Sequence, residues 1–187
     1  MKHWQNFLKT SVADKNQIEQ LRWWMGTLLT EHTLLPRKML FLVGPGPSGK
    51  GVLLKLLVSL VGEDKALEQL PGRNACFNEI INKRLIILSP GQVDRFSAVA
   101  GLVKQLLAGE AFLGRRKYAS TISSYFPDCA LACACNTDRF GSLPDMWHRI
   151  LKINMVTPSV RVPNLLDDLL KESDEIRAWA VSYTNAE

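Results

Sequence analysis

The sequence predicts an α/β fold: a mostly parallel sheet flanked by helices, with an N-terminal helical segment and closing C-terminal helices. Two observations carry this. Short, almost wholly apolar runs recur along the chain, at Met39–Val43, Leu85–Leu88, Ala130–Cys135 and Arg149–Met155. Between them lie longer stretches with apolar residues at helical spacing. Runs of four to seven residues without polar alternation suit strands buried on both faces, which is the situation of a parallel sheet.

Each element follows from its residues. Asn16–Thr30 carries Ile18, Leu21, Trp24 or Met25, and Leu28, a helical stripe. "TEHTLLPRK" is a connector, because Pro36 stops any helix. Met39–Val43 is a buried strand ending in glycine. Val52–Val61 is apolar nearly all round, so that helix is expected to be covered on several sides. "EDKALEQLPGRNACFNEIINKR" begins as a short element, turns at Pro71–Gly72 and continues as a helix. Leu85–Leu88 is the second strand, "SPGQ" a turn, and Phe96–Ala108 a helix. "GEAFLGRRKYASTISSYF" reads as a hairpin turning at Gly114. Ala130–Cys135 and Arg149–Met155 are the third and fourth strands. Asn164–Leu170 and Asp174–Val181 close the chain as short helices, with Asn164 and Asp174 suited to N-caps. The expected organisation is a helical segment over 1–35, a core over 36–157 and closing helices over 158–187.

The 187 residues suffice for one domain with a real core, and 47% apolar against 22% charged is a globular balance. A net charge of +5 suits a polyanionic partner. No run is long enough to cross a bilayer, and "MKHWQNFLKTSV" has no apolar core of a secretion signal. The expected compartment is intracellular. Cys129, Cys133 and Cys135 do not have the paired spacing of a zinc site, and alternation puts them on one strand face as buried apolar groups.

The chemistry concentrates at Gly44-Pro45-Gly46-Pro47-Ser48-Gly49-Lys50, which fits G-x-x-x-x-G-K between a strand and a helix. Small residues let backbone N–H groups wrap a phosphate chain, and the lysine reaches the terminal phosphates. Gly51 and Val52 complete the candidate cofactor-binding set. Two departures matter. Pro47 removes a backbone donor, and Gly51 stands where a hydroxyl would bind Mg²⁺. The strand "RLIIL" then ends in Ser89-Pro90-Gly91-Gln92, and no carboxylate follows until Asp94. Both usual protein ligands of the metal are therefore missing, so Mg²⁺ placement is in doubt.

Three further features stand out. Lys104 is followed by Arg115-Arg116-Lys117 with Phe112 and Tyr118 interleaved, a pattern suited to a nucleic-acid backbone. Asn136 follows the third buried strand, where an amide can orient water beside a phosphate. Arg149 precedes the fourth strand and can serve as an arginine finger. Taken singly, each has a bland reading: a solvated charge cluster, a turn residue, a salt-bridge residue.

Together and in this order, they resemble one family. "WQNFLKTSV", "LRWWMGTLLT", the loop, "NKRLIIL", "GLVKQLLAGEAFLGRRKY", "FPDCALACACN", "MWHRILKI" and "NLLDDLLKESDEIRAWAV" are similar to the helicase domain of superfamily-three viral and phage or plasmid proteins. The likeness is to the helicase half of primase–helicases. It implies an AAA+-like P-loop ATPase that assembles as a ring, usually a hexamer, with ATP between subunits. Lys50 would bind phosphates, Asn136 act as sensor and Arg149 as finger in trans. Lys104 and Arg115–Lys117 would grip single-stranded DNA in the pore. A separate primase or replication initiator is an implied partner, and the cytoplasm of a bacterial host, or a virus-infected cell, the implied setting. Gly51, Ser89-Pro90 in place of an acidic pair, and His148 in place of a second arginine depart from the family. They leave open a non-hydrolysing relative that binds DNA or serves in assembly. An unrelated phosphate-loop kinase is a third reading, for which a basic hairpin and Arg149 have no use.

Overall fold

The computed structural model describes residues 1–30, 37–70, 79–115, 122–138 and 148–184. Five strands make one parallel sheet: β1 (Met39–Val43), β2 (Ala66–Leu67), β3 (Leu85–Leu88), β6 (Ala130–Cys135) and β7 (Ile150–Asn154), in the order β2-β3-β6-β1-β7. Two more strands, β4 (Phe112–Arg115) and β5 (Ile122–Tyr125), form a separate antiparallel pair. The helices are α1 (Lys2–Ser11), α2 (Lys15–Leu29), α3 (Lys50–Val61), α4 (Pro90–Asp94), α5 (Phe96–Ala108), α6 (Leu165–Lys171) and α7 (Ser173–Thr184).

The pleat divides the sheet's side chains between two cores. Leu40, Leu42, Leu85, Ile87, Ala132 and Ile153 face a core shared with α1, α2, α3, α6 and α7. Met39, Phe41, Ile86, Leu88, Leu131 and Cys133 face a second core with α5 and Val93 of α4. Burial on both faces explains why these strands lack polar alternation. Cys129, Cys133 and Cys135 share the α5 side, as alternation predicts.

Helix α3 is enclosed by the sheet, α2 and α6, leaving only Gly51, Lys55 and Ser59 as an exposed stripe. At the other sheet edge the N-terminal segment closes β7. Val12 bridges Met155, and Val156 N–H donates to Ser11 O at 2.9 Å.

Several expectations need correction. "SPGQ" is no turn but the start of α4. Ser89 N–H donates to Gln92 Oε1 at 3.1 Å and Pro90 occupies the first helical position, where its missing N–H costs nothing. Gly114 does not turn the hairpin. It lies inside β4 opposite Ser123, so the turn falls beyond Arg115 and outside the described residues. Of the helix expected after Pro71–Gly72, residues 71–78 lie outside the described set and 80–83 form a turn closed by Lys83 N–H on Ile80 O, with Asn82 at φ 67°. The two-residue β2 was not anticipated. Asn164 does precede α6, but in the left-handed region and without a side-chain cap. Asp174 lies inside α7, whose start is Ser173, with Ser173 Oγ donating to Leu170 O at 2.6 Å. The connector at Pro36 lies outside the described residues.

Candidate functional site

The phosphate-type loop leaves the C-terminal end of β1, between β6 and the edge strand β7. Its root is clamped between neighbours: Gly44 N–H donates to Cys135 O at 3.3 Å, and Met155 N–H to Val43 O at 2.7 Å. A Cβ on Gly44 would stand 2.0 Å from Met155 O, so only glycine fits. Gly49 is at φ +85°, and a Cβ there would meet the Phe7 ring at 2.7 Å. Helix α1 thus presses directly on the loop. Phe7 lies 5.7 Å from Trp4, and Trp4 meets Trp179 of α7 edge-on at 5.4 Å. An aromatic line therefore joins the loop to the closing helices.

Pro45, Gly46 and Pro47 form an exposed crest, whereas Ser48 and Lys50 are buried. Lys50 Nζ donates to Gly44 O at 2.7 Å, Pro45 O at 2.9 Å and Ser48 Oγ at 3.1 Å. Burial pushes its ammonium below the ordinary lysine range, and the neighbouring Cys135 acts in the opposite sense. The ammonium's donors are thus held by its own loop at the first turn of α3, where the unpaired N–H groups of a helix start favour an anion. Gly51 is exposed, with nothing within 4 Å of an added Cβ, and Val52 is half-buried one residue on.

Asn136 comes to this site. Its Oδ1 lies 4.0 Å from the Cβ position of Gly46, on the loop that follows β6. The end of β3 reaches the same edge of the sheet, because Leu88 pairs with Cys133 and Cys135 with Val43. Two strand spacings, about 10 Å, separate it from the loop root. Neither Ser89 nor Pro90 brings a carboxylate there. Asp138, close by in sequence to Asn136, is taken by Lys152 Nζ at 2.6 Å. Among the described residues no group of three His, Cys, Asp or Glu side chains is arranged for a metal ion. The loop has the glycines and the lysine that a phosphate group needs, while position 51 has no hydroxyl and neither Ser89 nor Pro90 a carboxylate to hold Mg²⁺ beside it.

Lys104 and Arg149 lie elsewhere, and together. Arg149 Nη1 donates to Lys104 O at 3.4 Å and Nε to His148 Nε2 at 3.2 Å. Ile150 pairs with Met39 and Asn154 with Val43, so Arg149 sits at the N-terminal edge of the sheet. About 17–20 Å of strand separates it from the loop of its own chain. Arg115 ends β4; Arg116 and Lys117 lie outside the described residues. The brace of α1 on Gly49 went unread in the sequence, although Trp4, Phe7, Leu8 and Ser11 have helical spacing.

No protein-family model matches the sequence, and no curated protein matches it. Solved structures share its fold. The apo structure of the NrS-1 C-terminal region (305–718) superposes with a TM-score of 0.77 at 14% identity, over 97% of this chain and 45% of that one. The A form of the apo NrS-1 C-terminal region gives 0.73 at 16% identity, over 97% and 45%. The A form of residues 305–718 gives 0.74 at 14%, over 96% and 44%. The chain therefore spans less than half the length of the structures it matches, and what it shares with them is the fold: a mostly parallel five-stranded sheet between helices.

Proposed function

We propose that the chain is a nucleotide-binding helicase-type module of the superfamily-three class, serving replication of a phage, viral or plasmid-like element. ATP is its nucleotide and single-stranded DNA its polymer. The observation that carries this is the buried Lys50 ammonium behind a glycine-rich loop at the C-terminal edge of a parallel sheet, with Asn136 beside it. The loop amides and Lys50 would hold the phosphates, and Asn136 would position water at the terminal one. The 17–20 Å between Arg149 and its own loop favours a shared site, in which a neighbour in a hexameric AAA+-like ring supplies the arginine. The likeness of fold supports this reading without specifying activity.

A second reading has its own observation. Position 51 has no hydroxyl and the end of β3 no carboxylate, so the two usual ligands of Mg²⁺ are missing, and among the described residues no metal-binding group replaces them. Losing about 4 kcal/mol of transition-state stabilisation slows turnover roughly a thousandfold. In that case the module binds nucleotide and DNA and acts in assembly rather than as a motor.

An ATPase assay with and without single-stranded DNA, beside a measurement of oligomer mass, tests the proposal. Weak hydrolysis in a DNA-responsive oligomer supports the impaired motor. DNA binding with no hydrolysis supports the second reading. A monomer that binds neither ATP nor DNA overturns both.

A further inference from the structure

The edge of the sheet opposite the phosphate-type loop has a charge pattern of its own. Two of the parallel strands are each preceded by a basic pair, Arg37-Lys38 before β1 and Lys83-Arg84 before β3, and a third by Arg149 before β7. A parallel sheet brings all three starts to one edge, where Lys104 of α5 also lies. Several of these cations spend their hydrogen bonds on neutral carbonyls. Arg37 donates to Ala108 O, Lys83 to Asp64 O at 2.7 Å, and Arg149 to Lys104 O. Such bonds fix the side chains and leave their charge uncancelled.

On the same edge stands Phe126, 68% exposed and the one aromatic among the large exposed apolar side chains of the described residues. Its frame is rigid. Before it, Tyr125 pairs with Phe112, and its hydroxyl accepts from Asn82 N–H at 3.2 Å. After it, buried Pro127 confines Phe126 to extended backbone. Asp128 is then held by Arg84 Nη1 at 2.8 Å, and Arg84 in turn by Thr30 O at 2.8 Å. A ring fixed in water by such a frame loses little freedom when a flat partner covers it.

We infer that this edge is a binding track for single-stranded nucleic acid, with Lys38 and Lys83 on phosphates and the Phe126 ring stacked on an unpaired base. The inference rests on the single-strand reading of the proposed function and adds a site to it, at the foot of β5 and the starts of β1 and β3. The charge of the edge selects a polyanion, and the ring selects one whose bases are free.

The test is a titration of the full chain with two labelled probes of equal length, oligo-dT and an abasic deoxyribose-phosphate oligomer, over a range of salt. Phe126→Ala is expected to weaken oligo-dT binding about 5- to 150-fold, leave its salt slope unchanged and leave the abasic probe unaffected. Phe126→Leu, which keeps an apolar side chain without a ring, is expected to behave like Phe126→Ala. Lys38→Ala with Lys83→Ala is expected to weaken both probes and flatten the salt slope by about 1.4. Equal effects of Phe126→Ala on the two probes, or none, overturn the stacking site. So does a change in oligomer mass without base dependence, which would make Phe126 a subunit contact. An unchanged double lysine variant, beside a weakened Arg115→Ala with Lys117→Ala, removes the track while the single-strand reading stands. Failure of the wild type to bind either probe removes both.

Discussion

Gly44 and Gly51 belong to one loop-and-helix segment and answer to opposite constraints. A side chain at 44 would collide with the Met155 carbonyl; at 51 it would meet open solvent. We expect Gly44→Ala to cost about 1–3 kcal/mol in urea denaturation, as overpacking does, and Gly51→Ser to leave stability within about 0.5 kcal/mol. The cysteines separate in the same way. Burial, and then the Asp128 charge, push the Cys129 thiol up to about 12, and burial pushes Cys133 further. Both stay protonated at pH 8, well below those values, and both are enclosed. Cys135 is only half-buried. Iodoacetamide on the native protein is expected to alkylate Cys135 ahead of Cys129 and Cys133, read by peptide mass mapping; equal labelling of these three of the four cysteines would contradict the burial. The G-x-x-x-x-G-K spacing made the loop legible at this scale. The contact of Phe7 with Gly49 was not, since it joins residues that only the fold brings together.

Among the elements, α1 has the most unexpected part. It is held at its middle by Phe7 on the loop and at its start by the Glu172 carboxylate, which accepts from His3 N–H at 3.0 Å and Trp4 N–H at 2.9 Å. Burial disfavours the Glu172 charge, but the Trp4 and His3 amides together with the Met1 ammonium outweigh it and hold the carboxyl below its ordinary 4.5. A depressed folded pKa means stability that is present above 4.5 and lost as pH falls through the lower folded value. Glu172→Ala should therefore lower stability at pH 7 by about 1 kcal/mol, a typical cap energy, and flatten the acid limb of a thermal-melt series. A parallel loss at every pH would place the effect in packing instead. Strands β1, β3 and β6 and helix α5 matched the sequence residue for residue, because burial on both faces leaves uninterrupted apolar runs and Gly109 stops the helix. Helix α4 was legible and misread: Ser89 and Gln92 have the spacing of a capping box. Strand β2 was not legible, because two residues carry no period and its pairing with Leu85 and Ile86 is decided at a distance.

At the scale of the whole molecule, the parallel sheet sorts chemistry to its two edges. The glycine-rich loop and Asn136 lie where the strands end; the basic pairs, Phe126 and Arg149 lie where they begin. One chain cannot bring Arg149 to its own loop. In a Gly51→Ser, Pro90→Asp background, which restores a hydroxyl and a carboxylate, ATP turnover is expected to rise. Mixing that background's Lys50→Ala and Arg149→Ala variants should then recover activity that neither has alone. No recovery on mixing would argue against a shared site. The central claim is simpler than the ring: residues 44–50 hold a nucleotide's phosphates through backbone amides and the Lys50 ammonium. Its most direct test is a titration of wild-type and Lys50→Ala chains with a fluorescent ATP analogue, in Mg²⁺ and in EDTA. The account predicts saturable wild-type binding that survives EDTA and weakens at least about tenfold in the variant, the loss of one charged contact. Equal affinity of the two chains, or no binding by the wild type, would contradict it.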